Sequence, residues 1–240
     1  MGDTGALIDA LRHAHDSATR IVPPSGRLTR SECLAVQSAV MDHLGQVAGF
    51  KIGAGPGAQP IVAPIPQRYV VANGGRRPVR DRLGIELEIG FELLAPLPGP
   101  ALTADPARLF RPLAALELVE TRLDGPGASD PMLKFADFQI NAGLVAGDRL
   151  NGWTGSDFGT VRAELRANGR AVFQGNAPVP GGSALSSLER LAATLGDHCG
   201  GVQPGQIILT GSLCGLPYFG PGTEIEGEIA GLGSVAVTLC

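Results

Sequence analysis

Residues 85–93 read IELEIGFEL, in which apolar and polar positions alternate with Gly90 as the only small exception. A period of two belongs to a strand with two unlike faces. Other stretches repeat at helical spacing: Leu7, Ile8 and Leu11 within 4–20, and Cys33, Val36, Val40, Leu44 and Val47 within 29–47. Thr29 and Glu32, three apart at the start of the second stretch, match a capping box. Residues 183–196 form a third helix with Ser183 as its cap. AALELVETRL (114–123) fits either period, and the turn signal LDGPG after it assigns its middle to a strand. Residues 161–175 read as a hairpin turning at Asn168-Gly169, 206–213 as a strand, and 223–239 as a hairpin around Gly231–Gly233. The segment from 49, GFKIGAGPGAQPIVAPIP, reads as a short strand followed by a Gly/Pro-rich loop. The chain is therefore expected to be α+β. A helical section at 1–48 precedes a domain at 49–240 built on a mixed or antiparallel sheet.

Composition narrows the classes. With 44% hydrophobic and 18% charged residues among 240, the chain can bury a core. The 35 glycines and 19 prolines follow no repeat and fit many tight turns. The net charge is −4, and no basic block exceeds Arg76-Arg77, which argues against nucleic acid as a partner. No apolar run approaches the ~18 residues of a membrane helix. The N-terminus, MGDTGALIDALRHAHD, lacks the apolar core of a secretory signal, and the four cysteines (33, 199, 214, 240) form no CxxC pair. A cytoplasmic location with reduced thiols is expected.

Candidate chemistry is sparse. Of 19 basic residues only Lys51 and Lys134 are lysines. Unlike arginine, a buried lysine can give up its proton, so each is either an acid–base candidate or a plain surface charge. Glu86 and Glu88 share a strand face about 7 Å apart. They either meet water together with Glu92 or offer oxygens to a hard divalent cation, with Glu117 or Glu120 as a third acid. The four histidines (13, 15, 43, 198) fall on or beside helices and form no cluster. No G-x-S-x-G motif occurs, and GAGPG lacks the strand and helix of a phosphate loop.

Several segments together resemble the fumarylacetoacetate hydrolase superfamily: GFKIG at 49–53, IELEIGF at 85–91, LELVETR at 116–122, ILTGSL at 208–213 and PGTEIEGEIAGLGSVAVTL at 221–239. Within it they are similar to the branch of 2-keto-4-pentenoate hydratases and 4-oxalocrotonate decarboxylases. The resemblance runs from about residue 30 to the end. It implies a mixed β-sheet roll or sandwich with N-terminal helices. It implies that Glu86, Glu88 and Glu117 bind Mg²⁺ or Mn²⁺, that Lys51 is the active-site lysine with a lowered pKa, and that Thr210, Gly211 and Ser212 line the substrate. Arg122 follows the third acid, where it is either a site residue or the partner of an ion pair. Two segments depart from the pattern. PIVAPIPQRYVV carries no acid, and ADFQINAG keeps Asp137 but places Asn141 near the expected serine, as a substrate-binding candidate. The activity implied first is hydration of a 2-hydroxy-2,4-dienoate or 2-oxo-enoic acid through a metal-stabilised enolate, in aromatic-compound catabolism. Decarboxylation of the 4-oxalocrotonate type comes next, then acylpyruvate carbon–carbon hydrolysis, or a non-catalytic partner subunit. A homo-oligomer acting on a small 2-oxo or 2-hydroxy acid is the implied assembly.

Overall fold

The computed structural model describes residues 3–53, 59–99, 102 and 105–240. The Gly/Pro-rich loop expected after GFKIG has its residues 54–58 outside that set. Helix α1 (Thr4–Ser17) is capped by Asp3, whose carboxylate accepts from the Ala6 N–H at 2.9 Å. It stops three residues short of the expected end, where Ala18 turns left-handed at φ 53°. Helix α2 (Arg30–Leu44) has the capping box its sequence promised: the Thr29 N–H donates to Glu32 at 2.7 Å and the Glu32 N–H to the Thr29 hydroxyl at 3.3 Å. Cys33, Val36, Val40 and Leu44 are buried on one face. Val47 is not part of that helix. The chain turns at Gly45, and Val47 opens β1 (Val47–Gly53).

The rest follows as β2 (Ile61–Pro66), β3 (Val70–Val71), β4 (Gly75–Arg77), β5 (Leu83–Leu93), β6 (Phe110–Val119), α3 (Pro131–Ala136), β7 (Asn141–Arg149), β8 (Thr160–Ala167), β9 (Arg170–Pro178), α4 (Ala184–Leu195), β10 (Ile207–Ser212), β11 (Tyr218–Phe219), β12 (Glu224–Ile229) and β13 (Gly233–Leu239). The expected hairpin turns at Asn168-Gly169, and Ser183 caps α4 by accepting from Ser186 N–H. Strands β2 and β7 and helix α3 were not read from the sequence.

Two mixed sheets result. The larger runs β2-β1-β10-β5-β6-β7-β3 with β11 paired to β5, and the smaller runs β4-β13-β12-β8-β9. Strand pairs β1–β10, β3–β7 and β4–β13 are parallel and the others antiparallel. The sheets enclose one core, into which β5 sends Ile85, Leu87 and Ile89, β6 sends Leu116 and Leu118, and the smaller sheet sends Leu165, Ile225 and Val237. Gly49 of the GFKIG segment is required by proximity, since a Cβ there would lie 1.9 Å from the Ile207 carbonyl oxygen of β10. Helices α1, α2 and α3 share a second apolar cluster with Ile61 and Ala63 of β2.

The alternation of β5 promised one wet face. Instead nearly the whole strand is buried on both sides. The acidic face looks into a pocket walled by Gln139-Ile140, Pro180-Gly181 and α4. Among the described residues no helix is long and apolar enough to cross a membrane.

Candidate metal centre

Register decides which acids meet. Strands β5 and β6 pair Glu86 directly opposite Glu117, and Glu88 lies two residues further along the same face. Like charges directly opposite one another destabilise a sheet. Here a carboxylate oxygen from each of Glu86, Glu88 and Glu117 lies within 4.8 Å of the other two. Glu120, the rival third acid, points elsewhere and pairs with Arg80 and Arg20. Glu92, on the same strand, is neutralised by Arg111 and Arg149, each at 2.8 Å.

The cluster is dry. Glu117 is 0% exposed, Glu88 2% and Lys51 8%. The Lys51 ammonium donates to Glu117 Oε1, and the Asn141 amide donates to the same oxygen at 3.0 Å. Among the described residues Glu117 Oε2 is buried and has no hydrogen-bond partner. Glu88 accepts from the Gly211 N–H at 2.7 Å, a donor aimed at it because Gly211 adopts φ 109°, a left-handed conformation that suits glycine. Burial, then Glu117, pushes Glu86 up to about 7, with Lys51 and the Ser212 hydroxyl pulling the other way. Burial, then Glu117 and Glu86, pushes Glu88 up as well. For Lys51, burial acts downward but the three carboxylates outweigh it, so its pKa is raised. The expected lowering rested on a cation beside Lys51; the protein's own carboxylates act the other way.

The residues fit a hard divalent cation. The donors are all carboxylate oxygens, one of them is buried without a partner, and two of the acids resist ionising in its absence. Glu86, Glu88 and Glu117 would hold the ion.

The pocket above the cluster has a volume of about 470 Å³. Thr210, Gly211 and Ser212 line it. Thr210 donates its hydroxyl to the Ile89 carbonyl at 2.9 Å, and the Ser212 hydroxyl lies 2.7 Å from the Gly215 carbonyl. Asn141, expected at the substrate, is 0% exposed and stands behind Glu117. Its backbone carbonyl accepts from Arg122 at 2.6 Å, and Arg122 is paired with the buried Asp137 at 2.6 Å. Arg122 does not line this pocket and instead ties Asp137 to the Asn141 backbone. Lys134 sits on α3, away from this pocket. His15, His43 and His198 bond to Tyr69, Asp16 and Gln37, outside the cluster.

Sequence reasoning missed Gln139, Ile140 and Arg190, which all line the pocket. Phe138, Gln139 and Ile140 have φ of 52°, 50° and 56°. Three consecutive non-glycine residues in this region, one of them β-branched, store strain beside the site. No composition signal marks such a turn. Arg190 was visible as a helix charge, but its direction depends on how α4 docks.

No protein-family model matches the chain. Its sequence is 27% identical over 154 residues to a 4-oxalocrotonate decarboxylase of Pseudomonas putida, covering 63% of this chain. The match spans 58% of that relative's length. The solved 4-oxalocrotonate decarboxylase of Pseudomonas putida G7, complexed with magnesium and adipate, superposes with a TM-score of 0.85 at 23% identity over 99% of this chain and 97% of that one. Fumarylpyruvate hydrolase from Pseudomonas aeruginosa, in complex with Mn²⁺ and pyruvate, gives 0.54 at 14% identity over 79% and 88%. The chain is thus similar in fold to the fumarylacetoacetate hydrolase superfamily, and similar in both fold and sequence to its 4-oxalocrotonate decarboxylase branch.

Proposed function

We propose that this chain is a metal-dependent enzyme that removes CO₂ from a 2-oxo diacid of the 4-oxalocrotonate type. The observation that carries the reading is a three-carboxylate cluster with an orphaned buried oxygen, at the floor of a pocket that also holds Lys51 and Arg190. The relatives support it. One similar structure carries magnesium with the diacid adipate, and another carries Mn²⁺ with the 2-oxo acid pyruvate. This reading departs from hydration, which the motifs implied first, because the relative similar in sequence as well as fold is a 4-oxalocrotonate decarboxylase and the pocket offers a second cation.

Glu86, Glu88 and Glu117 would hold a divalent cation, which when bound would supply Lewis acidity toward the carbonyl of a 2-oxo acid. The chain's own groups do the rest. Arg190 orients the far carboxylate, whose loss as CO₂ breaks one carbon–carbon bond. The electron pair runs through the conjugated system into the 2-oxo group. Lys51, charged and pinned to Glu117, is the proton store for the resulting dienolate. Ile52, Val119, Ile140 and Leu216 add an apolar lining to the pocket, which leaves the protonation of the dienolate to Lys51.

The experiment is product analysis by mass with a panel of 2-oxo acids and Mg²⁺. Loss of 44 mass units (roughly one CO₂) from a diacid is expected, and it should vanish in Glu88→Ala. Uptake of water instead would restore the hydratase reading. No turnover of any member by metal-loaded protein would favour the partner-subunit reading.

A further inference from the structure

A second hollow, of about 500 Å³, opens between the end of α1, the β4–β5 connection and the residues after β6. It is separate from the metal pocket and shares no lining residue with it. Four arginines line it (Arg20, Arg77, Arg80 and Arg122) against one acid, Glu120. Three of the four are paired: Arg122 with Asp137, Arg80 with Glu120, and Arg20 with Asp81 and Glu120. Among the described residues Arg77 has no carboxylate within salt-bridge distance. Its guanidinium lies over the Tyr69 ring at 5.4 Å and donates to the Ala142 carbonyl at 3.0 Å. Its Nε is buried with no partner. Burial is the main influence on its pKa and acts downward, outweighing the opposing pull of Glu120.

Beside it, His15 is 9% exposed and lines the same hollow. Its Nδ1 is 2.8 Å from the Tyr69 hydroxyl, and its Nε2 is buried without a partner. Arg77 is half-buried, and a charge held partly out of water without a paired carboxylate favours an anion beside it. A guanidinium among three further arginines, with Glu120 the one acid lining the hollow and already paired with Arg80 and Arg20, matches an oxyanion, whose oxygens accept two parallel N–H bonds.

We propose that this hollow is a binding site for a small oxyanion, a carboxylate or a phosphate, anchored on Arg77 with Arg20 and Arg80 at its rim. The anion supplies the missing counter-charge. The site stands apart from the catalytic reading, since neither Lys51 nor any of the three clustered acids reaches it. It does touch the same framework, because Ala142, which takes the Arg77 bond, follows Asn141, which holds Glu117.

The test uses the full chain in EDTA, so that no metal-bound anion contributes, with ionic strength matched by chloride. Inorganic phosphate and succinate are titrated separately, followed by calorimetry and by thermal midpoint. At least one should bind saturably and raise the midpoint. Which one does so separates a phosphate ligand from a carboxylate ligand. Arg77→Gln should weaken that binding by ~10-fold or more, the loss expected for a charged hydrogen-bonded contact. Arg190→Gln should leave it unchanged. If Arg77→Gln does not fold, Arg20→Gln carries the test and should also lose affinity. Saturable binding of neither anion overturns the proposal. So does an Arg77→Gln protein that binds as the wild type does, and so does a loss caused by Arg190→Gln, which would place the anion over the metal centre.

Discussion

Lys51 and Glu117 form a buried ion pair at the floor of the metal pocket, and the same Glu117 oxygen also accepts from Asn141. The pair leaves only Oε2 of Glu117 for a cation. It also fixes the ammonium among three carboxylates, which keeps it protonated. Replacing Lys51 by Met removes the proton store and the positive charge together. Turnover should fall by ~100-fold or more, the lower end of what a positioned proton donor contributes. Mg²⁺ binding should be kept or tightened, because a competing cation has gone. Steady-state kinetics at saturating Mg²⁺, paired with calorimetric Mg²⁺ titration, checks both. Near-normal kcat would reduce Lys51 to a structural partner of Glu117.

Metal and protons should compete for the acids. Glu86 has an ordinary pKa of 4.5 and is pushed to about 7 by burial and by Glu117. The folded state therefore holds its proton more tightly than the unfolded chain does. The stability this brings is complete below about 4.5 and is lost as pH rises through about 7. His15 and His198, both lowered by burial, act the other way, but only below their ordinary 6.5. Between pH 6.5 and 8 the metal-free protein should lose thermal stability, and Glu86→Gln should flatten that loss. The gain on adding Mg²⁺ should be larger at pH 8 than at pH 6.5, since binding must displace fewer protons. Melting curves of both proteins with and without Mg²⁺ provide the comparison. A wild-type slope identical to that of Glu86→Gln would remove Glu86 from the account.

Behind the acids stands a relay of buried polar groups. Asp137 accepts from the backbone N–H and Nε of Arg122, Arg122 donates to the Asn141 carbonyl, and the Asn141 amide donates to Glu117. Removing one member of a buried ion pair strands the other, so Asp137→Ala should cost roughly 3–5 kcal/mol in urea denaturation. Asn141→Ala acts closer to the metal. It should leave the fold largely intact and weaken Mg²⁺ binding by ~10-fold or more, the loss typical of a group that orients a ligand. An Asn141→Ala protein with unchanged Mg²⁺ affinity would show that Lys51 alone orients Glu117.

The division between what could and could not be read from the sequence is instructive at this site. The alternation of β5 located Glu86 and Glu88 on one face, because strand geometry alone fixes that relation. Glu117 could not be separated from Glu120 by spacing. Their fates follow from the pairing of β5 with β6, which sets Glu86 opposite Glu117. The burial of that acidic face was invisible because its cover comes from residues 139–140, 180–181 and α4, far along the chain. Strand β2 was hidden by Pro64 and Pro66, which are tolerated because β2 is the edge of its sheet. Asn141 looked like a substrate group by its place in ADFQINAG. The left-handed run at 138–140 instead presents Gln139 and Ile140 to the pocket and leaves Asn141 behind Glu117.

Arg190 separates the candidate reactions by charge. It lies on α4 and lines the same pocket as Lys51, Glu86 and Glu88. Among the described residues it has no salt-bridge partner, so its charge is available to a ligand. A monoacid needs only the cation at the acids, whereas a diacid also presents a second carboxylate. Arg190→Ala should therefore raise KM for a 2-oxo diacid by ~10-fold or more, the scale of one charge-assisted contact. It should leave KM for a 2-oxo monoacid of similar length within about twofold. Measuring both substrates on both proteins at saturating Mg²⁺ gives the comparison directly. Equal losses on the two would mean that Arg190 supports the pocket wall rather than the far carboxylate, and the diacid reading would lose its local support.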